Sequence, residues 1–174
     1  IFMKINPLVS IIMNCHNGAR YLSSAIDSVY NQKYQNFEII FWDNNSSDES
    51  SKIAKSYDSR IKYFFNSKKT NLGTARNLAI AKANGKYICF LDTDDIFSSN
   101  KLIDQITLMT NEGYCMSYGG VSYFRNQKTI WKRVPKNNSG YIFSNLLKSY
   151  EIHMLTVMLD RKLIDNNLYK FNSV

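Results

Sequence analysis

Four apolar runs, LVSIIM (8–13), FEIIFW (37–42), RIKYFF (60–65) and KYICFL (86–91), recur through the first half of this 174-residue chain, with segments of a different period between them. In GARYLSSAIDSVYNQ, Leu22, Ile26 and Val29 fall on one helical face. Ser47, Asp48 and Glu49 are expected to open a second helix, with acids in the first turn where the helix dipole favours them. A third helix is expected from about Thr74 to Ala83, stopped at Asn84-Gly85. Strands alternating with helices imply a parallel sheet covered by helices, and near-continuous apolar strands imply burial on both faces. The fold class is α/β.

In such sheets ligands bind beyond the carboxyl ends of the strands. The polar clusters NCHNG, DNNSSDES and DTDD all fall at those ends. DTDD is the most demanding. Asp92, Asp94 and Asp95 have no basic neighbour in sequence, and carboxylates this close repel unless a cation offsets them. Asp92 and Asp94, two apart on an extended strand end, point to the same side. With diphosphate oxygens they suit the all-oxygen shell of Mg²⁺ or Mn²⁺. The competing reading is an acid-rich helix N-terminus ahead of SSNKLIDQITLMT (98–110).

The other candidates have structural alternatives too. Asp43 either accepts hydrogen bonds from a ribose hydroxyl or base N–H, or makes a turn with Asn44 and Asn45. His16 either stacks on a nucleobase or is a surface loop residue. Arg76, near a helix N-terminus, makes a credible anion site. His153, beside Glu151, suggests no catalytic triad. Neither GxGxxG nor GxxxxGK[ST] occurs, which argues against a dinucleotide-dependent oxidoreductase and a P-loop NTPase.

In order and spacing, VSIIMNCHNGARYLSSAIDSVYNQKYQNFEIIFWDNNSSDES followed by NLGTARNLAIAKANGKYICFLDTDD resembles the inverting, GT-A-fold glycosyltransferases of family 2. The likeness runs from about Leu8 to Leu108. It implies a mostly parallel central sheet flanked by helices, with a donor-binding subdomain over 1–110 and a partial acceptor-side subdomain over 111–174. It implies transfer of a sugar from a nucleotide-diphosphate sugar, most simply a UDP-sugar, to a glycan or lipid-linked acceptor. Asp92, Asp94 and Asp95 match the family's short aspartate motif, whose later acids, Asp94 and Asp95, hold Mg²⁺ or Mn²⁺. Asp43 matches the acid that contacts the base, Asn14 and His16 match positions lining the base pocket, and Arg76 matches an arginine near the nucleotide. The family's acidic general base has no match here, because Glu151, Asp160 and Asp165 lie outside its motif. The acceptor part is therefore expected to be truncated, with the base beyond Val174.

Past Asp95, YCMSYGGVSYF and KTIWKRV read as a hairpin turning at Arg125–Lys128, YIFSNLLKSY (141–150) as a short helix, MLTVML (154–159) as a last strand and DRKLIDNN as a helical turn. Cys15, Cys89 and Cys115 are expected as buried free thiols in a reducing compartment, hence a cytoplasmic location. No apolar run approaches the ~20 residues of a membrane span. The start, at Ile rather than Met, resembles no signal peptide and is expected to belong to a fragment or processed chain.

The net charge of +8 is uneven: no acid lies between Asp58 and Asp92, or between Glu112 and Glu151. Basic stretches attract anions, and contact with an acidic membrane at its inner face is a further expectation. Two rival readings are a nucleotidyltransferase making nucleotide sugars, which usually needs a Gly-rich N-terminal signature absent here, and a nucleic-acid-binding module. The second leaves the aspartates unexplained and has no reading motif, so nucleic acid is not an expected partner.

Overall fold

The structure, a computed structural model, describes residues 6–125, 128–136, 139–140, 142, 152–165 and 170–172. The helix expected over 141–150 lies outside the described residues.

The four apolar runs become β1 (Val9–Cys15), β2 (Phe37–Asp43), β3 (Ile61–Phe65) and β4 (Tyr87–Phe90). They alternate with α1 (Ala19–Tyr30), α2 (Ser50–Lys55), α3 (Leu72–Ile80) and α4 (Lys101–Glu112). Two further strands, β5 (Met116–Ser117) and β8 (Met158–Asp160), complete a six-stranded sheet in the order β3-β2-β1-β4-β8-β5. β1 pairs in parallel with β2 (Val9↔Phe37 to Cys15↔Asp43) and with β4 (Val9↔Tyr87 to Ile12↔Phe90). β8 is antiparallel to both β4 and β5. The remaining strands, β6 (Val121–Arg125) and β7 (Lys128–Arg133), form the expected hairpin as a separate two-stranded sheet. A short helix, α5 (Lys162–Asp165), follows β8.

Burial on both faces follows the strand period. Val9, Ile11 and Met13 pack with Leu22, Ile26 and Val29 of α1 and Leu102 and Ile106 of α4. Ile12, Ile40, Ile88 and Phe90 point the other way, onto Ala75, Ala79 and Ile80 of α3. Small alanines let that helix lie close to the sheet. β3 departs from the expectation of full burial: it is the sheet's edge, and Lys62 and Phe65 are exposed. Cys115 is also exposed, whereas Cys15 and Cys89 are buried free thiols as expected.

Four boundaries move for identifiable reasons. α2 begins at Ser50, because the Asp48 carboxylate is engaged elsewhere, accepting from the backbone N–H of Ala19 and of Ser50. α3 begins at Leu72, since Asn71 caps it by accepting from Thr74 N at 2.8 Å. It ends at Ile80, ahead of Asn84-Gly85, whose N–H groups bind Glu38 and Ser10 of the sheet instead. The last strand shortens to Met158–Asp160 because Met154–Thr156 turns as a 3₁₀ helix. α4 braces that turn: Gln105 Nε2 donates to Thr156 O at 2.9 Å and to Ser117 Oγ at 3.1 Å.

Candidate active site

The carboxyl ends of β1, β2 and β4 lie side by side, and the clusters that follow them are tied together. Asn17, in left-handed backbone (φ 56°), accepts from Ser47 N at 2.8 Å, and its own N–H donates to Ser46 Oγ. Gly18 N donates to Ser50 Oγ, and Asp48 anchors the first residue of α1. Burial opposes the charge on Asp48, but hydrogen bonds from Ser50 and Ala19 outweigh it and hold the carboxyl below its ordinary pKa. A Cβ on Gly18 would sit 2.6 Å from Thr93 Oγ1 and 3.1 Å from Cys15 Sγ. Only glycine allows the NCHNG loop to approach the DTDD loop this closely.

Asn44 is the second tie. It is buried; its N–H donates to Cys15 O, its Nδ2 to Thr70 O, and its Oδ1 accepts from Thr70 N at 3.0 Å. One residue at the β2 end thus holds the β1 end through its backbone and the loop entering α3 through its side chain.

Around this frame the predicted residues take the following places. Asn14, the last residue but one of β1, pairs with Trp42, and its Nδ2 is buried without a partner among the described residues. His16 is exposed; its Nδ1 lies 3.1 Å from Asn44 O, and since a carbonyl only accepts, Nδ1 carries the proton and Nε2 is the other ring nitrogen. Asp43 is fully buried, accepting from Ser46 N at 2.8 Å and from the Tyr63 hydroxyl at 2.6 Å. Burial and the bond to Asp43 push Tyr63 up to about 12. Both the turn and the strand-end position expected for Asp43 are therefore present.

The carboxylates do have a basic neighbour, supplied through space. Arg76 Nη2 of α3 lies 3.2 Å from Asp92 Oδ1. Arg76 is in turn covered by Phe171, whose ring centroid is 5.4 Å from the guanidinium. A strap over 170–172 carries that ring. Asn77 Nδ2 donates to Phe171 O and Phe171 N donates to Asn77 Oδ1, both at 2.9 Å.

Asp94 is exposed and Asp95 half-buried. Burial, then the charges of Asp92 and Asp94, raise Asp95 to about 6, the direction expected for acids that lack a neutralising cation. Among the described residues no group of three or more His, Cys, Asp or Glu side chains encloses a metal position. The all-oxygen donors and their uncompensated charge suit a hard divalent ion, and such an ion would take its remaining ligands from a diphosphate or water.

Sequence reasoning missed Gly18, Asn44, Thr93, Asn77 and Phe171. The frequent asparagines were visible, but nothing local distinguishes Asn44 from its neighbours.

Comparison with known proteins agrees with this geometry. The family described as Glycosyl transferase family 2 matches residues 10–166. The Escherichia coli protein named UDP-Glc:alpha-D-GlcNAc-diphosphoundecaprenol beta-1,3-glucosyltransferase WfgD is 38% identical over 165 residues, covering 94% of this chain and 64% of that protein. Staphylococcus aureus TarS, solved with UDP-GlcNAc, superposes with a TM-score of 0.78 at 19% identity, over 94% of this chain and 48% of TarS. The Pyrobaculum calidifontis mannosyltransferase PcManGT, solved with GDP-Man and Mn²⁺, gives a TM-score of 0.69 at 18% identity, over 98% and 49%. The chain thus spans less than two-thirds of that curated relative and about half of these solved structures. None of these comparisons favours the nucleotidyltransferase or nucleic-acid reading. With the strand-end clusters and the GT-A sheet both in place, the chain belongs to glycosyltransferase family 2.

Proposed function

We propose that residues 1–110 form the donor-binding subdomain of a glycosyltransferase and residues 111–174 part of its acceptor side. The observation that carries this reading is the junction at the carboxyl ends of β1 and β4, where Gly18 brings the β1 loop against Thr93 and Arg76 meets Asp92. The donor is a nucleotide-diphosphate sugar, and a UDP-sugar is favoured because TarS was solved with UDP-GlcNAc and WfgD's name includes UDP-Glc. Asn14, His16 and Asp43 flank the base, Arg76 and Asp92 the ribose and diphosphate, and Asp94 and Asp95 hold Mg²⁺ or Mn²⁺. The ion, when bound, supplies Lewis-acid stabilisation of the departing diphosphate. The Asn14 Nδ2, without a partner among the described residues, is a buried donor near the carboxyl end of β1 that a small side-chain movement would present to a ligand.

The acceptor is a glycan or lipid-linked saccharide hydroxyl, as in polysaccharide biosynthesis, and transfer inverts the anomeric centre. An in-line displacement needs a carboxylate to take the hydroxyl's proton. A cytoplasmic location, at the inner face of an acidic membrane, completes the reading. No helix among the described residues is long and apolar enough to cross a membrane.

Calorimetric titration of UDP, GDP and dTDP, each with and without Mn²⁺, into wild type and Asp94→Ala tests the proposal. Metal-dependent binding of UDP that the variant loses is the expected result. Absence of binding by every nucleotide overturns it.

A further inference from the structure

The β6–β7 hairpin pairs with no other strand of the described sheet, and its side chains are unusual for a protein surface. Phe124 is 52% exposed, Trp131 54%, Ile130 62% and Val134 77%. Exposed large apolar side chains concentrated on one short ribbon mark an interaction element. They sit among Arg125, Lys128 and Lys132, and no acid occurs anywhere between Glu112 and Glu151.

The pairing register sorts these groups. Tyr123 faces Trp131 across the ribbon with ring centroids 5.1 Å apart, and Arg125 faces Lys128 two positions toward the tip. Alternation along β6 puts Tyr123 and Arg125 on one face with their partners Trp131 and Lys128, and Ser122 and Phe124 on the other with Lys132 and Thr129, so aromatic and basic groups occur on both faces of the ribbon. A register shift at Tyr123/Phe124 twists the ribbon.

We infer that this hairpin docks the protein on a bilayer rich in anionic lipid. The inference deepens the proposed function and rests on its reading of a lipid-linked acceptor. Tyr and Trp rings are at home at head-group depth, and lysines and arginines beside them meet lipid phosphates. The aliphatic residues decide between lipid and nucleic acid. Ile130 and Val134, the most exposed large apolar side chains, gain nothing from stacking on bases but partition readily into the acyl boundary. The topology also directs the catalytic edge to the same surface. β5 and β4 are both antiparallel to β8, so they run in the same direction, and the hairpin leaves β5 at the sheet edge that carries Asp92.

Flotation with phosphatidylglycerol-containing vesicles and with pure phosphatidylcholine vesicles tests this on the intact chain. Anionic vesicles are expected to carry up about tenfold more protein at low salt, an excess lost when screening is raised. Lys128→Glu with Lys132→Glu, and separately Ile130→Ser with Trp131→Ser, should each lower flotation severalfold at unchanged Tm. Trp42 is buried, so a vesicle-induced blue shift in tryptophan emission belongs to Trp131 and disappears in Trp131→Phe. Equal flotation with both vesicle types, no flotation, or flotation that neither variant pair reduces overturns the inference. So does binding of single-stranded RNA through these residues in place of vesicles. UDP–Mn²⁺ calorimetry on the same preparation separates the two readings: a protein that binds nucleotide but not vesicles keeps its donor site and loses this docking surface.

Discussion

Arg76 and Asp92 stand sixteen residues apart on different elements, yet meet at 3.2 Å where the sheet ends, with their side chains 14% and 47% exposed. This pair resolves part of the repulsion built into DTDD. Arg76 neutralises the first aspartate from α3, which leaves Asp94 and Asp95 as the charges a metal would offset.

Arg76→Ala should therefore destabilise the protein by about 1–2 kcal/mol, between the values for exposed and buried ion pairs. Mn²⁺ should restore part of the loss, since a cation bound by the aspartates replaces the missing charge. Arg76→Lys, which keeps the charge without the planar fork, should fall between the two. Thermal melts with and without Mn²⁺ check this; equal losses in Ala and Lys variants would show that packing against Phe171, not charge, is what Arg76 contributes.

The strap that covers Arg76 depends on a glycine. A Cβ on Gly73 would lie 1.9 Å from the carbonyl oxygen of Asn172, a backbone atom that can move only if the strap moves. Gly73→Ala should undock residues 170–172, exposing that end to proteolysis and costing roughly 1–3 kcal/mol. Phe171→Ala should weaken UDP–Mn²⁺ affinity severalfold by loosening Arg76, and Phe171→Leu, which keeps bulk but not the ring, should recover part of it. Limited proteolysis and calorimetry read the two effects separately.

The parallel half of the sheet was legible because β1, β2 and β4 are buried on both faces and carry near-continuous apolar runs, while the edge strand β3 keeps enough of the pattern to be recognised, and α1 announces itself through Leu22, Ile26 and Val29. β8 was legible as a strand but not in direction, because three residues between a 3₁₀ turn and α5 carry no signal of orientation. Asp48 misled for a physical reason: an acid that suits a helix's first turn also suits a neighbouring helix N-terminus, and here it serves Ala19. In the site, residue types with chemistry were visible, while those that act by shape or by long-range bonding (Gly18, Asn44, Phe171) were not. Thr70 lies 26 residues from Asn44 and Asn77 lies 94 from Phe171, so no local pattern encodes these contacts.

Glu38 gives a prediction about the opposite end of the sheet. This buried carboxylate accepts from Ser10 Oγ and from Asn84 N, each at 2.7 Å, while Ser10 Oγ also accepts from Gly85 N at 2.8 Å. Glu38→Ala should cost about 2–4 kcal/mol, since it takes the acceptor from the buried Ser10 hydroxyl and from the part-buried N–H of Asn84 and leaves a void. Ser10→Ala should cost less, about 1–2 kcal/mol, and the double variant less than the sum, because the two groups share one network. Denaturant melts of the three variants check the non-additivity; strict additivity would mean that the bonds act independently.

Asp95 gives the chain a pH dependence of unusual sign. Burial and the neighbouring Asp92 and Asp94 raise its folded pKa to about 6, against an ordinary value of about 4 in the unfolded chain. The folded state therefore holds this proton more tightly than the unfolded state. The group's contribution to stability is greatest below about pH 4, declines as the pH rises to about 6, and is constant above. Asp95→Asn removes the charge in both states, so its Tm should exceed that of wild type by a few degrees at most near pH 8 and converge with it at acid pH. A carboxyl carbon resonance of Asp95 titrating near 6 in the metal-free protein would support the same account, whereas titration near 4, with no pH-dependent difference in Tm, would show that solvent or Arg76 already screens the aspartates.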